Sequence, residues 1–155
     1  MRLQHQWWSG LVAAVLVGLV GVTAVAAAGE QFIPVLGVRE GAVRSLGIPI
    51  TNGLIDYLTL LNERDGGING VKLIWEECET VYDVDRGVEC YERLKGKGPT
   101  GAAVFPVIYT PLVNALIARA THDQIPLLAG GVGRSVTADG RVFPYVFTPQ
   151  TPGGV

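Results

Sequence analysis

The stretch NERDGGINGVKLIWEE, residues 62–77, decides the fold. Gly66 and Gly67 close a helix, because glycine enters the left-handed conformation favoured at a helix end without a Cβ clash. Asn69-Gly70 is the residue pair of a tight turn, and the run VKLIW behind it begins a strand. A helix returned to a strand by so short a connection is the repeating step of an α/β fold, which receives ligands at the carboxyl ends of its strands.

The rest of the chain extends that step in both directions. Residues 32–38 (FIPVLGV) form a short apolar run suited to a buried first strand. A loop is expected over residues 39–47. From Pro49 onward Ile50, Leu54, Tyr57, Leu58 and Leu61 recur at helical spacing, with Asp56, Asn62, Glu63 and Arg64 on the outside. Residues 71–75 are the second strand. Asp83 caps a helix with the buried stripe Val84, Val88, Tyr91 and Leu94, with Glu89 and Arg93 paired four apart, and Gly96 and Gly98 stop it. Residues 102–107 are the third strand. Thr110-Pro111 opens the third helix as a hydroxyl cap followed by proline at the first helical position, and Val113, Leu116, Ile117 and Ala120 face the sheet. Residues 125–129 make a fourth strand that runs into the loop Gly130-Gly131-Val132-Gly133, and residues 145–147 a short fifth. This alternation predicts an α/β fold with an open, mostly parallel sheet and helices on both faces.

Ahead of these elements, Arg2 is followed by the uncharged run 11–25, and small residues suited to signal peptidase stand at 24–26 and 26–28. Residues 1–28 are therefore expected to be a cleaved export signal. The alternative is a retained anchor, since residues 7–28 approach the roughly 20 residues of a membrane span. Residues 29–155 then leave about 127 residues, enough for one lobe with its own core. The formal net charge is −2 with both signs interspersed, so the basic stripe that a nucleic-acid partner requires is missing. Residues 148–155 are rich in proline and glycine and close no element, so the lobe is expected to be incomplete.

Chemistry is expected at the strand ends near Thr110 and Gly131, where two neighbouring loops make the ligand crevice of an open α/β sheet. The start of the third helix offers free N–H groups and partial positive charge, which suit a carboxylate, with the Thr110 hydroxyl assisting. On spacing alone, Thr110 as a plain cap and residues 130–133 as a plain turn remain the alternative. Enzymatic signals are weak. His5 falls in the export signal, His122 near a helix end suits the last carbonyls, and no nucleophile and base stand paired, so no catalytic residue is assigned. Gly131-Val132-Gly133 begins like a dinucleotide fingerprint, but Val136 occupies the place of the third glycine, so no cofactor is expected. Glu76, Glu77 and Glu79 read as a solvated acidic loop after the second strand in preference to a metal site. Export permits a disulfide between Cys78 and Cys90, which would contribute roughly 3 kcal/mol in the chain-entropy model; two reduced cysteines are the alternative.

The order of elements and the tracts IPVLGV, LNERDGGINGVKLIWEE, DVDRGVECYERLKGKG, GAAVFPV with its Tyr-Thr-Pro loop, and QIPLLAGGVG resemble the N-terminal lobe of type I periplasmic binding proteins. The likeness is to the branched-chain amino acid (Leu/Ile/Val) receptors of ABC importers. It implies a two-lobed, hinged periplasmic receptor, not an enzyme, that closes on an amino acid and presents it to an ABC permease in the inner membrane. In such proteins the loops after the third and fourth strands hold the ligand's α-carboxylate and α-ammonium groups. By position these are Tyr109 and Thr110, then Gly131, Val132 and Gly133. Leu46 stands where the first loop often carries an aromatic residue. The glycines leave only backbone groups in the second loop, which widens the ligand to an amide, a urea or another small polar metabolite. Family members are more than twice as long, so the chain is expected to be a truncated record of one. The competing expectations are an exported α/β enzyme using the same crevice, or an inactive fragment.

Overall fold

Strand and helix alternate as β1 (Glu30–Gly37), α1 (Arg44–Asp65), β2 (Lys72–Glu79), α2 (Val84–Leu94), β3 (Phe105–Val107), α3 (Thr110–Asp123), β4 (Leu127–Ala129) and β5 (Val146–Phe147). The computed structural model describes residues 29–130, 137 and 139–149. The expected export signal and the loop residues Gly131, Val132 and Gly133 lie outside the described residues.

Strand pairs β1–β2, β3–β4 and β4–β5 are all parallel. A bridge between Phe32 and Ala102 joins the two ladders, which gives the order β2-β1-β3-β4-β5. The seam between β1 and β3 carries so little pairing for a local reason. Alternate residues of a parallel strand turn their N–H and C=O groups to opposite neighbours. Gly29 and Gly37 accept bonds from the β2 side, while Phe32 accepts from Ala103, so the even-numbered residues of β1, Pro34 among them, face β3. Phe105 and Val107 bond toward β4, which leaves Pro106 facing β1. Two residues that turn toward this seam, Pro34 and Pro106, therefore have no N–H to donate across it. For the same reason the regular part of β3 is 105–107, shorter than the expected 102–107.

Both faces of the sheet are covered. Phe32 and Leu36 pack with Tyr91 and Leu94 of α2 and with Leu112, Leu116 and Ala120 of α3. Ile33 and Val35, one step out of phase, pack with Leu58 and Leu73, against which Leu54, Ile55 and Leu61 rest. Burial on both faces explains the unbroken apolar run of β1.

The deciding stretch behaves as its residues require. Gly66 (φ 70) caps α1 and donates its N–H to Leu61 O. Gly67 follows at φ 93, where a Cβ would lie 2.0 Å from Val71 O. Asn69 and Gly70 turn at φ 52 and 79, and Ile68 and Val71 exchange both backbone hydrogen bonds at 2.9 and 3.0 Å.

The first helix departs from expectation in its start and in the face it buries. It starts at Arg44, so the last part of the expected loop, Leu46 included, is coiled into its first turn. Gly47 makes this possible: a Cβ there would lie 2.2 Å from Val38 O. Because Gly47 and Thr51 seat the helix on the end of β1, the buried stripe runs through Leu54, Ile55, Leu58 and Leu61. Ile50 and Tyr57 are left 39% and 57% exposed. Asn62, expected outside, turns inward. Its carboxamide donates to Leu73 O (2.7 Å) and accepts from Leu73 N (2.8 Å), completing the outer side of β2 as another strand would.

Strand β2 runs on to Glu79, so the acidic cluster belongs to a strand and each carboxylate is partnered. Glu76 meets Lys97 and Arg93, Glu77 meets Arg39, and Glu79 accepts from the N–H groups of Arg39 and Val81. Cys78 at the end of β2 and Cys90 in α2 form a disulfide with their Cα atoms 5.9 Å apart. Asp83 caps α2 through Arg86 N (2.9 Å). Arg93, expected beside Glu89, stands 3.9 Å from Glu76 instead. In α3 the N-cap is Tyr109, so Thr110 and Pro111 each sit one position further in than a hydroxyl cap followed by proline would place them.

Candidate ligand site at the carboxyl edge of the sheet

The carboxyl ends of β1, β2, β3 and β4 run into four connections along one edge. The most constrained follows β2. Thr80 is fully buried, and its hydroxyl donates to Gly37 O at 3.0 Å while accepting from Tyr82 N at 3.3 Å. Val81 N donates to the Glu79 carboxylate (2.6 Å), whose other oxygen takes Arg39 N (2.7 Å), and Asp83 N closes the turn on Thr80 O (2.9 Å). Under these restraints Val81 and Tyr82 take φ values of 48° and 61°. The left-handed region is uncommon for any residue with a side chain and an outlier for a β-branched one.

The product of this turn is an aromatic pair. Tyr82 stacks on Tyr109 with ring centroids 4.2 Å apart and planes inclined by 30°. Tyr109 is 3% exposed, whereas Tyr82 is 42% exposed. The Tyr109 hydroxyl donates to Asp83 O at 2.6 Å, tying the start of α3 to the start of α2. Burial, then the Asp83 carboxylate, pushes the Tyr109 phenol up to about 12, so it stays a neutral donor. Beside this pair, Gly130 N donates to Val107 O (2.9 Å), which holds the end of β4 against the end of β3.

The expected site residues are thus placed as follows. Tyr109 and Thr110 stand at the carboxyl end of β3, with Thr110 as the first residue of α3. Gly130, the last described residue before the expected loop 131–133, lies beside the end of β3 through its bond to Val107 O. Leu46 is on the same edge but in the first turn of α1, 62% exposed. Sequence reading missed Tyr82, Thr80 and Arg39. The Arg39 guanidinium grips Glu77 through two nitrogens, at 2.5 and 2.8 Å, and Asn52 through the third at 2.8 Å, bracing the ends of β1 and β2. None of these residues belongs to a motif, and only the fold brings them together. His122 lies at the opposite edge of the sheet, with Nδ1 2.9 Å from Asp123 Oδ1. Among the described residues no group of three His, Cys, Asp or Glu side chains could hold a metal ion, and no helix is long and apolar enough to cross a membrane.

The parallel sheet and the helices on both of its faces define a type I periplasmic-binding lobe. The chain belongs to the periplasmic binding protein family, whose model matches residues 30–153. It is similar to a solved protein described as an ABC transporter permease from the Pseudomonas fluorescens group, with 45% identity and a TM-score of 0.72 over 77% of this chain and 30% of that one. A branched-chain amino acid ABC transporter from Thermus thermophilus with bound valine shares the fold at 21% identity and a TM-score of 0.67, covering 79% of this chain and 32% of its own. So does LivJ, the branched-chain amino acid transporter substrate-binding protein from Streptococcus pneumoniae, in complex with isoleucine, at 16% identity and a TM-score of 0.65 over 77% of this chain and 33% of that one. The chain thus spans 30–33% of the length of these structures. No curated protein matches it.

Proposed function

We propose that the chain serves as one lobe of an extracytoplasmic solute-binding component of an ABC importer. It takes a small amino acid, an amide or a related polar solute and delivers it to an inner-membrane permease, without catalysing a reaction on it. Residues 1–28 direct export and are removed, which places the remaining lobe in the periplasm. The ligand's carboxylate is held by the backbone N–H groups and the Thr110 hydroxyl at the start of α3, and its ammonium group by the backbone of Gly131, Val132 and Gly133. The two tyrosines stand alongside, and Leu46 borders the site from the first turn of α1. The observation that supports this reading is the Gly130 to Val107 hydrogen bond, which holds the end of β4 beside the end of β3, just ahead of α3.

The test is calorimetric titration of the complete protein with leucine, isoleucine, valine and their amides, for the wild type and Thr110→Ala. Loss of a hydrogen bond to a charged group is expected to weaken binding about tenfold, with the ligand recovered unchanged. Equal affinity of the two proteins, or turnover of the bound compound, overturns the reading. Export is checked separately by the mass of the protein recovered from the periplasm, which should lack residues 1–28.

A further inference from the structure

Tyr109 was the aromatic residue expected to meet the ligand, yet the structure covers it. One of its faces carries the Tyr82 ring, its hydroxyl is committed to Asp83 O, and 3% of its surface is exposed. Of the two rings, Tyr82 is the one open to solvent. That ring is positioned from several sides. Thr80 and Glu79 hold the backbone below it, Gly41 packs against Val81 O so closely that a Cβ would lie 3.3 Å away, and the Cys78–Cys90 disulfide spans the whole turn. A turn with two strained, non-glycine residues persists only when its surroundings over-determine it, and such strain gathers at binding sites.

We infer that Tyr82 is the specificity-determining residue of this site, and that the stacked Tyr82–Tyr109 pair forms a flat wall for the aromatic ring of the solute. The inference rests on the binding reading above and narrows its solute from small amino acids in general to those carrying an aromatic ring. The reason is shape. A branched aliphatic side chain is recognised by a concave pocket that closes round it, whereas the outer ring here is held flat by the ring beneath. A planar ring can lie offset on it at the separation that aromatic pairs prefer. Tyr109 acts as a positioning residue, fixing the plane of Tyr82 and not touching the solute.

The experiment titrates the complete protein with L-phenylalanine, benzoate and L-leucine, using the wild type, Tyr82→Asn, Tyr82→Phe and Thr110→Ala. Asparagine tolerates the left-handed backbone, so Tyr82→Asn removes the ring without adding strain, and an unchanged melting temperature verifies the fold. The expected result is that an aromatic probe binds more tightly than leucine. Tyr82→Asn should weaken that probe at least tenfold while changing leucine less than twofold, and Tyr82→Phe should keep wild-type affinity. Leucine binding as tightly as the aromatic probes, or Tyr82→Asn weakening all ligands alike, overturns the inference. If Thr110→Ala weakens leucine while Tyr82→Asn leaves every ligand unchanged, the binding reading stands and the aromatic wall falls. If no probe binds at all, both fall.

Discussion

The α1–β2 and β2–α2 connections both enter the left-handed backbone region, and they do so with opposite kinds of residue. The α1–β2 connection, at the amino edge of the sheet, uses Gly66, Gly67, Asn69 and Gly70, and the β2–α2 connection, at the carboxyl edge, uses Val81 and Tyr82. Glycine and asparagine adopt the conformation at little expense, whereas each strained residue at the other edge costs on the order of 1–3 kcal/mol. The α1–β2 turn has been given the residue types its geometry prefers. In the β2–α2 turn side chains are kept in spite of the geometry, held down by the buried Thr80, the Glu79 carboxylate and a disulfide. Of these two turns the strained one lies at the carboxyl edge; at the amino edge a residue with a longer side chain takes the left-handed region at Gln124 (φ 57), the C-cap of α3.

The sharpest way to break the comparison is to put a side chain into the relaxed turn. Gly67→Ala combines φ 93 with a Cβ 2.0 Å from Val71 O, and urea denaturation should show a loss of about 4 kcal/mol. A loss near zero would mean that the amino-edge turn is as forgiving as any loop. Next in size, replacing Cys78 and Cys90 together by serine releases the strap over the strained turn. The small loop it closes implies about 3 kcal/mol of lost stability, and wild-type protein titrated under reducing conditions should behave alike.

That pairing also marks what could be read from sequence. Gly66-Gly67 and Asn69-Gly70 were legible because those residue types encode a left-handed backbone in themselves. Val81 and Tyr82 were not, because neither type signals it and the groups that impose it come from β1, β2 and α2. Glu76, Glu77 and Glu79 read as a loop for a similar reason, since their partners Lys97, Arg93 and Arg39 lie far along the chain and only the fold makes them neighbours. The start of the third helix was legible through Thr110-Pro111, but the burial of Tyr109 under Tyr82 was not. In α1 the periodicity gave the helix, while the choice of face was set by Gly47 meeting Val38, a contact no periodicity contains.

A moderate effect is expected at the outer side of β2. Asn62→Ala strips both side-chain bonds from Leu73 and should lower stability by about 2 kcal/mol, with faster amide exchange at Leu73 as the local signature. Smaller, and opposite in sign, is the effect of relaxing the strained turn. Val81→Gly should raise stability by about 1 kcal/mol, since glycine accommodates φ 48.

The smallest effect concerns pH. Lys95, donating at 2.9 Å, and then His122 hold the Asp123 carboxyl down to about 2. A carboxyl depressed in the folded state contributes stability above its unfolded value and loses it as pH falls through the folded one. The wild-type urea midpoint should therefore fall between about pH 4 and pH 2 by more than that of Asp123→Asn. Parallel midpoints for the two proteins would remove this ion pair from the account.

The most direct test of strain in the service of binding joins stability and affinity in one variant. The complete protein carrying Val81→Gly is titrated calorimetrically with the amino acid that the wild type binds most tightly, alongside a urea melt of both. The account predicts a more stable protein that binds about tenfold more weakly, because a relaxed turn no longer presents Tyr82 in a fixed place. A variant that is more stable and binds as tightly as the wild type would contradict it.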